Sequence, residues 1–300
     1  MCRLKRRRER ERDMMPPSRA AESLGDALSA LCRRYGLDLI AVYEGTDRSA
    51  RVAHVRDRVG QDLVLKRTSP ERGRGELAAL RAWSETGLAA RLVAVLEPNL
   101  YLVEWLHGPS LAEVMTSEPI DARAIGHMLH GLHAVAPPSS LRPARDHFAV
   151  AAHEGWPRLA PALRDLGVAV TARLTRDEAP REILLHGDLV PLNVLLTPDG
   201  PKIIDPVGYR GVQAWDLAQL AVAAEGRGGG RMLPDLLEGY GRTPPLMAEA
   251  FAWMILYFLH KNMVENRPAF AANLQPLAEA LLAAGAPAVF LRRYCGEEVS

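Results

Sequence analysis

The prevailing period of the apolar residues switches at Gly108-Pro109, and that switch constrains the fold more than any other feature. Between Leu39 and Trp105 they fall in short runs of strand type, and beyond Gly108-Pro109 they recur at helical spacing. Leu39–Tyr43, Arg51–Val55 and Asp62–Lys66 read as three strands, separated by the polar segments Glu44–Ser49 and Asp57–Gln61. They form an antiparallel meander. After a loop, Arg72-Gly73-Arg74-Gly75, the segment Glu76–Thr86 reads as a helix. Leu92–Leu96 and Leu100–Trp105 then add two strands around the turn Glu97-Pro98-Asn99. Five strands with one inserted helix make a small α+β lobe. A preceding helix is marked by Leu24, Leu28, Leu31 and Cys32, with Gly36 as its stop.

In the second part, Ser110 can cap a helix start, and Asp121–Val135 is a strong helix that ends at Pro137-Pro138. Residues 139–182 hold further helices with proline-rich joints. A β interlude covers Ile183–Leu185, Val194–Leu196 and Lys202–Ile204, the last two joined by the turn Thr197-Pro198-Asp199-Gly200. Residues 213–300 return to helix. The expected layout is a tail at 1–20, a β-rich lobe at 21–105 and a larger helical lobe at 106–300.

Charge and composition exclude several function classes. The net charge is +1, so bulk charge gives no argument for nucleic acid. Seven Lys/Arg and three acids crowd residues 1–13, a basic tail without periodicity or interleaved aromatics that reads as disordered. The longest apolar run, Ala250–Leu259, is ten residues, against about 20 for a membrane span. Cys2, Cys32 and Cys295 are sparse and odd in number, which points to a reducing, cytoplasmic setting. No nucleic-acid or membrane partner is expected.

The densest chemistry lies in His186-Gly187-Asp188-Leu189-Val190-Pro191-Leu192-Asn193, followed twelve positions later by Asp205-Pro206. Asp188 lies in a loop that leaves a strand, and Asn193 stands where the next strand begins. The hairpin through Gly200 returns Asp205 beside that loop. Two carboxylates and a carboxamide thus converge at one sheet edge, and oxygen donors of this kind suit Mg²⁺ shared with substrate phosphates. The arrangement suits one base and two metal ligands.

The order Lys66, Glu76, His-Gly-Asp-x-x-x-x-Asn, Ile204-Asp205-Pro206 resembles the aminoglycoside phosphotransferase family, a branch of the protein-kinase-like fold. Asp62-Leu-Val-Leu-Lys66, Gly75-Glu76-Leu-Ala-Ala-Leu-Arg81-Ala-Trp83 and Ile204-Asp205-Pro206 look most like the streptomycin and hydroxyurea phosphotransferases. The resemblance covers roughly residues 24–265. It implies a bilobal α+β fold, with a five-stranded antiparallel N-terminal nucleotide-binding lobe carrying one helix and a mostly helical C-terminal catalytic and substrate-binding lobe. By the same resemblance, Lys66 holds nucleotide phosphate oxygens and Glu76 pairs with it. Asp188 accepts the proton of the acceptor hydroxyl, and Asn193 and Asp205 hold Mg²⁺. Glu104 and Leu106 meet adenine through their backbone, and Ser49 belongs to the turn over the phosphates. His186 and Asp216 support the loop.

Two departures from the family stand out. Val190-Pro191-Leu192 replaces a stretch where the family usually has a His, and the phosphate-covering turn Glu44–Ser49 has only Gly45. His127, His130 and His133 step around a helix and read as a polar flank rather than a ligand set. Trp253, Tyr257 and His260 read as core packing, and Gly226–Gly230 as a loop. The implied activity is ATP- and Mg²⁺-dependent phosphorylation of a hydroxyl of a small molecule, plausibly an aminoglycoside-type antibiotic. The alternatives are a metabolite kinase for a sugar, amino alcohol or glycated amine, and a kinase-like nucleotide-binding module without turnover. Residues 206–300 carry nine acids and eight bases, so they advertise no strongly acidic face for a polycation.

Overall fold

The structure, a computed structural model, describes residues 19–43, 51–144, 182–264 and 268–284, with isolated positions between 161 and 168 and at 289. Ser49, the basic stretch 1–18 and most of 139–182 lie outside the described residues. The chain divides into two compact units, Met1–Ser69 with Val93–Trp105, and Pro70–Leu92 with Leu106–Ser300.

The first unit is one helix on one sheet. Helix α1 (Arg19–Tyr35) precedes β1 (Asp38–Tyr43), β2 (Arg51–Arg56) and β3 (Asp62–Arg67), and the sheet is completed by β4 (Leu92–Glu97) and β5 (Leu100–Glu104) in the order β1-β2-β3-β5-β4. The α1 helix begins at Arg19, two residues inside the stretch expected to lack structure. The β1–β2, β2–β3 and β3–β5 pairs are antiparallel, as the short alternating runs imply. Alternation sends Ala53, Val55, Leu63, Leu65, Leu100 and Leu102 to one face, where they pack with Leu28 and Cys32 of α1. Full burial of each such leucine contributes about 1.5–3 kcal/mol. Lys66 and its register partner Tyr101 belong to the opposite face, and both are nearly inaccessible.

The second unit opens with α2 (Pro70–Ala82), which departs from expectation at both ends. The Arg72–Gly75 segment is helical rather than a loop, and the helix stops at Ala82 instead of Thr86. Proline begins it with a preset φ and a missing donor that the first turn does not need. The glycines serve close packing rather than a turn, since a Cβ on Gly75 would lie 2.3 Å from the Val207 carbonyl oxygen. This helix was expected inside the 21–105 lobe, and it groups with the second unit instead.

Short α3 (Leu111–Val114) starts after Ser110, whose backbone N–H donates to the Glu113 carboxylate at 2.8 Å. Asp121 caps α4 (Ala122–His133) by accepting from the Ala124 N–H at 2.9 Å. Two small ladders follow, β6 (Ile183–Leu185) with β9 (Tyr209–Gly211), and β7 (Val194–Thr197) with β8 (Gly200–Ile203). Helices α5 (Ala214–Gly226), α6 (Leu233–Tyr240), α7 (Pro244–Val264) and α8 (Pro268–Ala284) complete the unit. Helix α5 is apolar around its circumference and buried at every residue but Glu225, so it forms the centre of the second core. Trp253 and Tyr257 are core residues, with the Trp253 ring 4.9 Å from that of Trp215.

Candidate active site

The loop 186–193 is held at both ends by strands and from below by one carboxylate. Asp216, in the first turn of α5, is fully buried and accepts from the His186 N–H at 2.7 Å and the Gly187 N–H at 3.0 Å. His133 of α4 donates from Nε2 to the same carboxylate at 3.1 Å, and its Nδ1 accepts from the Tyr240 hydroxyl at 3.0 Å. Burial alone would raise the Asp216 pKa, but the His133 hydrogen bond, the nearby imidazoles and the Gly187 N–H together hold it below the ordinary value. Asp216 is therefore an anion sealed in the core with its lone pairs answered.

His186 reads the next segment. Its Nε2–H donates to the Ile204 carbonyl at 2.8 Å, and its Nδ1 accepts from the Asp188 N–H at 3.2 Å. That arrangement fixes the neutral tautomer, because a proton on Nδ1 would face another N–H. Burial pushes the His186 pKa down in the same sense, against the raising effect of Asp216. The His186 carbonyl accepts from both Val207 and Gly208 N–H groups, at 2.9 and 3.1 Å. The segment after Asp205 is thus tied to the loop that carries Asp188.

Asn193 closes the same knot. Its Nδ2 donates to the Asp188 carbonyl at 2.8 Å, and its own carbonyl accepts from the Ile204 N–H at 3.0 Å. Because Nδ2 is committed inward, Oδ1 is the atom it can offer to a cation. Asp205 has φ +65, the only positive φ among described residues other than glycine. Such a conformation costs about 1–2 kcal/mol, and strain of this kind collects at functional sites. Arg72 of α2 reaches to 3.9 Å from the Asp205 carboxylate. Carboxamide and carboxylate oxygens are the hard donors that Mg²⁺ takes, so these two residues fit that ion. No cluster of three or more His, Cys, Asp or Glu fit to hold a metal exists among the described residues, so phosphate oxygens would have to complete the shell.

The second unit therefore brings together His186, Asp188, Asn193, Asp205 and Asp216, and it also holds Glu76, buried on α2, and the half-buried Leu106. Lys66 and Glu104 belong to the first unit, where the Lys66 ammonium lies 6.0 Å from the Tyr101 ring centroid. Trp105, between Glu104 and Leu106, stacks on His54 with centroids 3.9 Å apart, and His54 meets Asp62 at 3.0 Å.

Three contributors escaped the sequence reading. His133 is buried beneath the loop rather than on a polar flank, because Asp216 and Tyr240 give its two nitrogens partners in the core. His127 and His130 turn instead to separate carbonyls, those of Arg123 and Tyr240, each at 2.8 Å. Gln219 of α5 accepts from the Leu189 N–H at 2.9 Å. Its signal was a lone amide in an apolar helix. Tyr209 packs its ring where a Gly187 side chain would go, and its phenol is pushed up, chiefly by burial.

A family model described as the phosphotransferase enzyme family matches residues 45–250. The probable ketoamine kinase YniA of Escherichia coli strain K12 is 38% identical over 81 residues, which are 27% of this chain and 26% of that protein. The matched segment thus spans about a quarter of the length of that curated relative. Among solved structures, a choline/ethanolamine kinase family protein from Mesorhizobium loti has a TM-score of 0.63 at 16% identity, covering 86% of this chain and 93% of that one. The aminoglycoside phosphotransferase APH(4)-Ia also gives 0.63, at 17% identity, with 87% and 98% covered. These likenesses establish an α+β, protein-kinase-like fold.

Proposed function

Because this chain belongs to the phosphotransferase enzyme family, we propose that it transfers the γ-phosphoryl group of ATP to a hydroxyl of a small molecule. The observation that supports this best is the joining of two segments. Asn193 ties to Asp188, Ile204 to Asn193, and Val207 and Gly208 to His186, so a base and two oxygen donors share one backbone framework. Asp188 takes the proton as the acceptor oxygen attacks phosphorus, and the bond to the bridging oxygen of ADP breaks. Asn193 Oδ1 and the Asp205 carboxylate hold Mg²⁺, which when bound neutralises phosphate charge. Lys66 contributes its ammonium to phosphate oxygens, and Glu104 and Leu106 their backbone groups to the base. Positioning and charge do the work, since phosphoryl transfer asks little covalent chemistry of the protein.

For the acceptor, the reading we favour is a glycated amine or similar sugar-like metabolite. Several acidic residues of the second unit pair with arginines of the same unit and so offer less uncompensated negative charge to a polycation. Arg123 pairs with Asp235 and Glu238 at 3.3 and 2.9 Å, and Arg210 with Glu182 at 2.8 Å. The ketoamine-kinase name of the E. coli relative agrees with this choice. The test is ATP consumption with radiolabelled γ-phosphate against a panel of ketose-derived amines, amino alcohols and aminoglycosides. Transfer to none of them, with ATP still bound, would replace the enzyme reading by a nucleotide-binding module.

A further inference from the structure

Helix α5 is built from Ala, Leu, Val and Trp and is buried at all residues but one, yet it places an amide, Gln219, in that apolar surface at 6% exposure. Burying an amide costs free energy unless both its halves find partners. The carbonyl half of Gln219 accepts from the Leu189 N–H at 2.9 Å. With Oε1 committed there, Nε2 is turned toward the Asp188 carboxylate, 3.5 Å from Oδ1. That distance is at the long end of a hydrogen bond, as catalytic contacts commonly are before substrate closes the site.

No other described side chain is recorded within hydrogen-bond distance of that carboxylate. The intervening residues Val190, Pro191 and Leu192 carry no polar side chain, so nothing in the loop between Asp188 and Asn193 can orient it. Asn193 reaches only the Asp188 backbone carbonyl. Asp216, one turn earlier on α5, likewise serves backbone N–H groups. The two buried polar residues of this helix therefore divide the task, with Asp216 fixing the path of the chain and Gln219 the carboxylate.

We infer that Gln219 is the positioning residue for Asp188, holding the carboxylate toward the acceptor hydroxyl by an amide N–H while anchoring the loop through Leu189. The inference rests on the reading of Asp188 as the base. Displacing a reacting group by about 1 Å can cost 10²-fold in rate. Gln219→Met keeps the volume and removes both hydrogen bonds. It should lower kcat by about 10–100-fold and leave KM for ATP within about twofold, because the amide faces the acceptor side of the chemistry.

The decisive experiment is a double-mutant cycle on transfer from ATP to a ketose-derived amine, with transfer to water as the second probe and thermal midpoints measured for every variant. In an Asp188→Ala background Gln219→Met should change the residual rate by less than about twofold, since the carboxylate through which it acts on the chemistry is gone. An equal loss in both backgrounds would mean that Gln219 merely supports the loop, and would overturn the inference. Gln219→Glu keeps an acceptor for the Leu189 N–H and presents oxygen to Asp188. It should be as impaired as the methionine variant, and wild-type turnover would overturn the assignment even if Gln219→Met failed to fold. Near-normal turnover in Asp188→Ala would sink the base assignment itself, a result distinct from either outcome at Gln219.

Discussion

Gly75 of α2 and Gly208, three residues past Asp205, stand backbone against backbone. A Cβ on Gly75 would lie 2.3 Å from the Val207 carbonyl oxygen, and one on Gly208 would lie 2.3 Å from that of Gly75. No flexible side chain can yield there, so an alanine at either position must push α2 away from the Asp205 segment. Gly208 also has φ +77, which adds strain to any side chain. Overpacking costs about 1–3 kcal/mol, and about 1 kcal/mol moves the midpoint of a chain this size by ~2–4 °C. Gly75→Ala and Gly208→Ala should each lower the thermal midpoint by several degrees, the second more than the first. Unchanged melting curves would show that the approach is looser than this.

Asp188→Asn keeps the side-chain shape and removes its capacity to take a proton. General-base catalysis is worth about 10²–10⁴ in rate, so kcat should fall by that factor with ATP affinity little changed. Lys66→Ala should differ by raising KM for ATP as well. A common kinetic signature for the two variants would contradict the separate roles assigned to them.

In the proposed role, Asp205 exchanges stability for its place beside Mg²⁺. Asp205→Gly removes the strain of φ +65 and should leave the thermal midpoint unchanged or a few degrees higher, while Mg²⁺-dependent ATP binding and turnover are lost. Calorimetry and nucleotide titration with and without Mg²⁺ read the two effects separately. A variant that both melted lower and still bound ATP in a Mg²⁺-dependent way would refute both halves.

Acid should weaken the fold in two steps. His186 is held neutral below its ordinary value of 6.5, so the unfolded chain binds the proton more readily and stability falls as pH drops from about 6.5 toward the folded value. Asp216 is held ionised below its ordinary value of 3.8, so its contribution is complete above about pH 4 and is lost in stronger acid. His186→Gln keeps a donor for the Ile204 carbonyl and should flatten the first step only. Thermal midpoints between pH 7 and 3 test this, and an unaltered slope below pH 6.5 in that variant would reject the His186 assignment.

Where sequence and structure agree, the signal was local. The strands of the first unit follow from period-two runs within six residues, and the spacing from His186 to Asn193 follows from a loop no longer than its own motif. The Arg72–Gly75 segment was misread because glycine signals a turn and a close approach with the same letter, and only Val207 and Gly208, more than 130 positions away, distinguish them. His133 was misread for a similar reason. A three-residue step on a helix says which way a ring faces, but not that Asp216 waits there. Gln219 was legible in principle as a polar residue in an apolar run, and its orientation was not.

The ring of Tyr209 occupies the space over Gly187, where a Cβ would meet it at 2.3 Å. A side chain at position 187 would have to displace that ring and also take the left-handed backbone of Gly187, φ +82. The turn that leads into Asp188 is thus kept by an aromatic ring packed on bare backbone, so its shape depends on a residue more than twenty positions away in the chain.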